Sequence, residues 1–150
     1  MTARGASFAG LLAGSYAKLV GEPLVPGGLS GDAAAAWLYE APVGLLAHDT
    51  SPDPLFTYAN RVAQEYFGYS WDEFVGMPSR LSATAGQARD ERQLFMDMVQ
   101  RQGYADNYRG LRITKSGRRF WIQDATVWNL IDAESVLVGQ AALIRSWTDA

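Results

Sequence analysis

The carboxylate of Asp124 is the side chain in this sequence with the clearest potential for chemistry. It lies in a β-rich run, residues 120–130, between Ile122 and Thr126. A carboxylate is costly to bury there unless it is paired or hydrogen-bonded, and burial raises its pKa. A raised pKa would suit a general base, as in small isomerases or hydratases. The alternative is that the sheet is open at this position and that Asp124 or Gln123 is solvated.

No second group in the sequence supports catalysis by Asp124. The chain has no nucleophile elbow, no glycine-rich phosphate loop and no metal-ligand cluster. It contains no cysteine, which excludes disulfides, thiolate metal sites and a cysteine nucleophile. The single histidine, His48, ends a short predicted strand and is expected to be a loop or surface residue. We therefore expect the protein not to be an enzyme.

The amino-acid composition limits the kinds of molecule that this protein is expected to bind. The 150 residues are 48% hydrophobic, which fits one domain with a substantial core. The net charge of -3 gives no reason to expect nucleic-acid binding, and the one basic cluster, at 115–119, lies at a predicted hairpin tip. No apolar run reaches the ~20 residues that span a bilayer. We expect a cytoplasmic protein without nucleic-acid or membrane partners.

Hydrophobic periodicity and turn residues divide the chain into helices and strands. Residues 1–31 are predicted to hold an amphipathic helix, 7–19, and a linker arm rich in proline and glycine. Residues 32–150 are predicted to form the main domain, with two strands (43–48 and 55–59), helices up to 87–102, and three strands (104–114, 120–130 and 136–147). The N-terminal helix packs back on the sheet or contacts a second copy of the protein. The fold class is α+β.

Regular alternation in the run 120–130 would place one set of side chains on a single face of the sheet. This set is Phe120, Ile122, Asp124, Thr126 and Trp128. Residue types alone do not tell which face of this strand points inward.

The order of elements resembles the PAS fold, in which a five-stranded antiparallel sheet has its helices inserted between the second and third strands. The motifs that carry this resemblance are APVG (41–44), FTYAN (56–60), YFGYS (66–70) and DEFVG (72–76). The chain resembles more closely the MEKHLA domain family, which is related to PAS and includes short stand-alone bacterial proteins. That resemblance rests on YRGLRI (108–113), SGRRF (116–120), ATVWNL (125–130), GQAA (139–142) and the final Trp147.

The resemblance implies a sensory or ligand-binding module whose pocket lies between the concave face of the sheet and the inserted helices. A planar or aromatic molecule would be held non-covalently by Trp128 and Tyr108, with Asp124 or Arg112 binding a polar group. The candidate ligand-binding residues are Tyr58, Asn60, Tyr108, Arg112, Asp124, Thr126, Trp128 and Gln140. The family implies no particular cofactor. Without cysteine a covalent flavin adduct is excluded, and haem is not expected because His48 lies in the wrong part of the fold.

A purely structural interpretation remains open for each candidate. Arg112 and Asp124 would form an ion pair across neighbouring strands, Trp128 would fill the core, and Asn60 would cap a helix. The protein would then be a dimerisation or interaction module with a filled core, in which the sheet and the N-terminal helix form the dimer.

We expect a homodimer and a small-molecule ligand as partners. An enclosed cavity on the inner face of the sheet would favour ligand binding, whereas a filled core would contradict it.

Overall fold

The structure, a computed structural model, describes residues 5–83 and 89–150. Two helices come first, α1 (Ala6–Leu19) and α2 (Gly31–Glu40). They are followed by strands β1 (Gly44–His48) and β2 (Phe56–Ala59). Helix α3 (Arg61–Phe67), the single turn α4 (Trp71–Phe74), a 3₁₀ turn (Ser79–Ser82) and helix α5 (Arg89–Gln102) form the insertion. Strands β3 (Tyr104–Ile113), β4 (Arg119–Ile131) and β5 (Leu137–Asp149) complete the chain.

The five strands form one sheet in the order β2-β1-β5-β4-β3, and all neighbouring strands are antiparallel. Helices α3 to α5 lie between β2 and β3 in sequence, so the predicted α+β architecture is confirmed. The predicted start of α5 at Gln87 lies outside the described residues. None of the described helices is long and apolar enough to cross a membrane.

Local sequence signals explain how the inserted helices begin and end. The Asn60 side chain accepts a hydrogen bond from the Ala63 N–H at the start of α3, and Gly68 ends this helix with a φ of +81°. Ser70 and Glu73 form a reciprocal capping box at α4. These short-range preferences turn the chain back over one face of the sheet, which we call the inner face.

Apolar side chains pack on both faces of the sheet. The inner cluster lies between the sheet and helices α3 to α5. It comprises Phe56, Ala59, Ala63, Phe67, Phe74, Val99, Ala105, Tyr108, Phe120, Ile122, Ala125, Val127, Ala142 and Ile144. The outer cluster lies between the opposite face and helices α1 and α2. It comprises Phe8, Ala9, Leu12, Tyr16, Leu24, Ala35, Leu38, Leu45, Ala47, Tyr58, Trp128, Leu130 and Ala141.

Helix α1 is fixed to the outer face by more than apolar contact. The Ser15 hydroxyl accepts a hydrogen bond from the Ile131 N–H at 3.0 Å and lies 3.2 Å from the Ile131 carbonyl oxygen, to which it donates. The Tyr16 ring packs edge-on against Trp128, with 4.8 Å between centroids. The N-terminal helix therefore packs back on its own sheet, the first of the two predicted positions.

The alternation of β4 shifts by one residue at Asp124, so the prediction of one continuous face is wrong. Ile122 and Ala125 both belong to the inner cluster although two residues separate them. Asp124 has a φ of +48°, a conformation that is uncommon outside glycine but is tolerated by Asp and Asn. A one-residue shift sends every later side chain to the opposite face. Trp128 consequently lies on the outer face, opposite to Phe120.

Candidate ligand-binding site

A cavity of about 530 Å³ lies between the inner face of the sheet and the inserted segment. Its walls come from β1, β2, β3, β4 and β5, from the 3₁₀ turn and from α5. Among the described residues, the lining comprises Leu46, His48, Pro54, Phe56, Phe67, Ser79, Arg80, Ser82, Ala83, Phe95, Met96, Tyr108, Arg112, Ile122, Val127, Gln140, Ala141, Ala142 and Ile144. Apolar side chains predominate, with a few polar groups among them, as is typical of small-molecule sites.

One polar unit of the wall stands on β3, where Tyr108, Gly110 and Arg112 share the inner face. The Arg112 Nη2 atom donates to the Tyr108 hydroxyl at 3.1 Å, and Nη1 donates to the Leu111 carbonyl at 2.9 Å. A Cβ atom at Gly110 would come within 2.6 Å of the Tyr108 hydroxyl and 2.8 Å of Arg112 Nη1. The glycine thus leaves the space in which the tyrosine and the arginine meet. Phe95 from α5 covers Tyr108, with 4.0 Å between ring centroids.

A second polar pair lies across the sheet on β1 and β5. His48 and Gln140 are directly opposite each other in the antiparallel ladder, and both line the cavity. Gln140 Nε2 lies 3.4 Å from Asn129 Oδ1. His48 Nδ1 lies 2.9 Å from the Asp49 carbonyl oxygen. Because a carbonyl oxygen only accepts, a hydrogen bond here requires a proton on Nδ1.

The edge of the cavity is held by contacts between the β1–β2 loop and the 3₁₀ turn. The Ser79 N–H donates to the Pro54 carbonyl at 2.8 Å, and Arg80 pairs with Asp53 at 3.2 Å. The Arg80–Asp53 pair is solvent-exposed, so it contributes little to stability. Within the cavity lining, this pair means that the carboxylate of Asp53 compensates the positive charge of Arg80.

Three of the eight predicted site residues line the cavity: Tyr108, Arg112 and Gln140. Tyr58, Thr126 and Trp128 lie instead on the outer face of the sheet, so the expectation that their side chains point inward is wrong. Tyr58 stacks on Phe8 of α1 with 5.5 Å between centroids. Thr126 donates to Asp106 at 2.8 Å and accepts from Arg145 at 2.9 Å.

Asp124 and Asn60 have structural surroundings that are separate from the cavity. Asp124 is solvent-exposed at the bulge of β4, and its carbonyl oxygen accepts from Arg145. Arg112 bonds to Tyr108 and Leu111 and not to Asp124, so the predicted cross-strand ion pair does not form. Asn60 is fully buried, and its amide bonds to four backbone groups.

Sequence reasoning missed several lining residues, among them His48, Ser82 and Phe95. His48 was expected at the surface because it ends its strand, but the strand end forms part of the cavity wall. Ser82 belongs to the segment after Met77, which carries no periodic pattern. Phe95 lies on α5, and its ring packs against Tyr108.

The MEKHLA domain family model matches residues 6–149. Comparison with curated proteins gives no match. Among solved structures, a PAS domain from Colwellia psychrerythraea superimposes with a TM-score of 0.64 at 17% identity, covering 75% of this chain and 92% of that one. A light-oxygen-voltage domain studied with a flavin analogue gives 0.59 at 22% identity, with 74% and 82% covered. The light-oxygen-voltage domain of the blue-light photoreceptor Aureochrome1 gives 0.57 at 20% identity, with 69% and 74% covered.

Proposed function

This chain belongs to the MEKHLA domain family, and from that premise we propose that it is a PAS-like sensory module that binds a small planar or aromatic molecule non-covalently. The ligand occupies the cavity on the inner face of the sheet. Binding is passed on through protein–protein contacts, and the protein acts as a homodimer in the cytoplasm.

The cavity itself is the observation that carries this proposal. Ligand sites are concave, mostly apolar and roughly 300–1,000 Å³ in volume, and the space of about 530 Å³ falls within that range. A module that used its sheet only for protein contacts would be expected to fill the inner face with its own side chains. The aromatic rings of Phe56, Phe67 and Phe95 provide surfaces against which a planar molecule packs.

The arrangement favours binding over catalysis. Asp124, the carboxylate considered as a general base, is exposed at the bulge of β4 and does not line the cavity. The polar residues that do line it are dispersed over strands β1, β3 and β5 and the 3₁₀ turn: His48, Tyr108, Arg112, Gln140, Ser79, Arg80 and Ser82. Such an arrangement suits recognition of a polar group on the ligand.

A flavin is one planar molecule that deserves a specific test, because one similar structure is of a domain studied with a flavin analogue. The chain contains no cysteine, so any flavin would be held without a cysteinyl adduct. An absorption spectrum distinguishes a bound flavin from a ligand without visible absorbance.

The first experiment is native mass spectrometry of the freshly purified protein, with an absorption spectrum of the same sample. A co-purifying mass that is lost on denaturation is the expected result. The variant Ala142→Phe places a ring in the cavity wall and should abolish retention of that mass. Ala36→Phe, at an exposed position of α2, is the matched control and should retain it. A ligand-free dimer that also fails to bind added aromatic molecules would support the alternative, an interaction module without a ligand.

A further inference from the structure

We propose that the cavity selects an anion, namely a small molecule with an apolar or aromatic body and one carboxylate, and that Arg112 binds this carboxylate. The inference rests on the proposed function, since it names the chemical class of the ligand of the same cavity. Three features of the described residues carry it: the charge balance of the lining, the partners of Arg112 and the geometry around Gly110.

The charge balance of the lining favours a negative ligand. The described lining residues include two arginines and one histidine but no aspartate or glutamate. Arg80 is paired with Asp53, so its charge is already compensated. Arg112 is the cation whose charge is left for a ligand, because none of the carboxylates whose side chains the structure describes forms an ion pair with it.

The two hydrogen-bond partners that the structure gives Arg112 are neutral. The Tyr108 hydroxyl accepts from Nη2 and the Leu111 carbonyl accepts from Nη1. These bonds orient the guanidinium but do not neutralise it, and they use two of its five N–H groups. The guanidinium is therefore held in place with donors remaining, while its positive charge favours an anion in a partly enclosed space.

The sequence around Arg112 leaves room for this arrangement. Tyr108 and Arg112 stand four residues apart on the same face of β3, and the glycine between them carries no side chain. A Cβ atom at that position would collide with both the hydroxyl and Nη1, at 2.6 Å and 2.8 Å. Gly110 thus permits the tyrosine to hold the arginine against the cavity wall.

One carboxylate fits this site better than a dianion. The planar guanidinium matches the two oxygens of a carboxylate. A phosphate monoester carries close to two negative charges at neutral pH, and a single uncompensated arginine would leave one of them unmatched. The apolar walls at Ile122, Val127 and Ile144 then require that the rest of the ligand be uncharged.

The test compares acids with their amides, which have nearly the same shape but no charge. The probes are 4-phenylbutyrate and 6-phenylhexanoate, each paired with its primary amide and titrated by calorimetry into the 150-residue protein. Arg112→Gln removes the charge, and Arg112→Lys keeps it without the planar fork. Arg119→Gln is the matched control, since it removes one positive charge at an exposed position of β4 that does not line the cavity. Circular dichroism checks that each variant is folded.

We expect the wild-type protein to bind at least one acid about tenfold or more tightly than its amide, as a charge-assisted hydrogen bond to a carboxylate implies. Arg112→Gln should abolish this preference, Arg112→Lys should keep part of it, and Arg119→Gln should leave it unchanged. Equal binding of acid and amide in the wild type, or a preference that survives Arg112→Gln, overturns the inference while the cavity remains a ligand site.

If neither acid nor amide binds, the molecule retained by the purified protein decides the outcome. An anion that is lost in Arg112→Gln but kept in Arg119→Gln supports the inference, and a neutral or cationic molecule overturns it. If no molecule is retained and no probe binds, the proposed function fails together with the inference. A failure of the anion inference alone can therefore be distinguished from a failure of the proposed function.

Discussion

Replacing Asn60 should destabilise this protein far more than the loss of an ordinary helix cap. Its side chain is fully buried. Oδ1 accepts from the Leu45 N–H at 3.0 Å and the Ala63 N–H at 3.1 Å. Nδ2 donates to the Leu38 carbonyl at 3.1 Å and the Val43 carbonyl at 2.8 Å. One amide thus joins the end of α2, the start of β1 and the start of α3.

The four hydrogen bonds set the magnitude of the effect. At a net ~1 kcal/mol for each bond, Asn60→Ala should lower the free energy of unfolding by about 4 kcal/mol. That is a large part of the roughly 5–15 kcal/mol of a typical domain. Ser70→Ala is the matched control, because it removes the cap of α4 at an exposed site, and it should cost about 1 kcal/mol.

Asn60→Asp separates the two halves of this interaction. The aspartate keeps the acceptor for Leu45 and Ala63 but loses both donors and, at neutral pH, places a buried carboxylate against two carbonyl oxygens. We therefore expect a loss at neutral pH at least as large as that of the alanine variant. A buried carboxylate facing two carbonyl oxygens has a raised pKa in the folded state. Its protonated form is therefore favoured by folding, and the deficit relative to wild type should shrink as the pH falls towards 4.

The assay is urea denaturation followed by circular dichroism, with linear extrapolation to zero urea. The reasoning would be refuted if Asn60→Ala cost no more than Ser70→Ala, since the contacts to α2 and β1 would then contribute nothing measurable. It would also fail if the deficit of Asn60→Asp grew on acidification.

Two further predictions concern the outer cluster and the helix cap of α4. Trp128→Ala should lower the free energy of unfolding by about 3–5 kcal/mol because its ring is buried against Tyr16, yet leave ligand retention intact at a temperature where the variant is folded. An unchanged melting temperature would show that the ring is not buried. The hydrogen bond from Lys115, together with that from the Ser70 N–H, lowers the pKa of Glu73 from 4.5 to about 2. The stability that the Glu73 carboxylate contributes is therefore present above pH ~4.5 and is lost as the pH falls towards 2. Lys115→Met should raise this pKa in an NMR titration, and a wild-type Glu73 that titrates near 4.5 would contradict the assignment.

The sequence was informative where structure depends on short-range chemistry. Asn60 was considered as a helix cap, and it caps α3; Gly68 and Ser70, in the motif YFGYS, end α3 and begin α4. Each acts within one turn, through its side chain or its backbone freedom. The order of strands and helices was predictable for the same reason. Tyr108 and Arg112 were also expected to lie together in the site, and they stand four positions apart on one face of β3, where Arg112 donates to the Tyr108 hydroxyl.

The faces of the later strand segments were not predictable by counting residues. Alternation carries a side chain to the correct face only while the strand is regular, and one bulge reverses every position after it. Asp124, with a φ of +48° on β4, marks such a point, as does Asn107, with a φ of +57° on β3. An aspartate or asparagine inside a β-rich run is a signal of such a bulge, because these residue types tolerate that conformation. Thr126 and Trp128 were assigned to the wrong face for this reason.

The bond between Ser15 and Ile131 has a consequence for the order of events during synthesis. The two residues are 116 positions apart in the chain, so α1 emerges from the ribosome long before the strand on which it packs. Its apolar side chains cannot be buried against the sheet until β4 has been made and has paired with its neighbouring strands. Contacts of such long range slow folding because the intervening chain must be ordered first. Helix α1 precedes the sheet in the chain, and we therefore expect it to reach its final position only after β4 has been made.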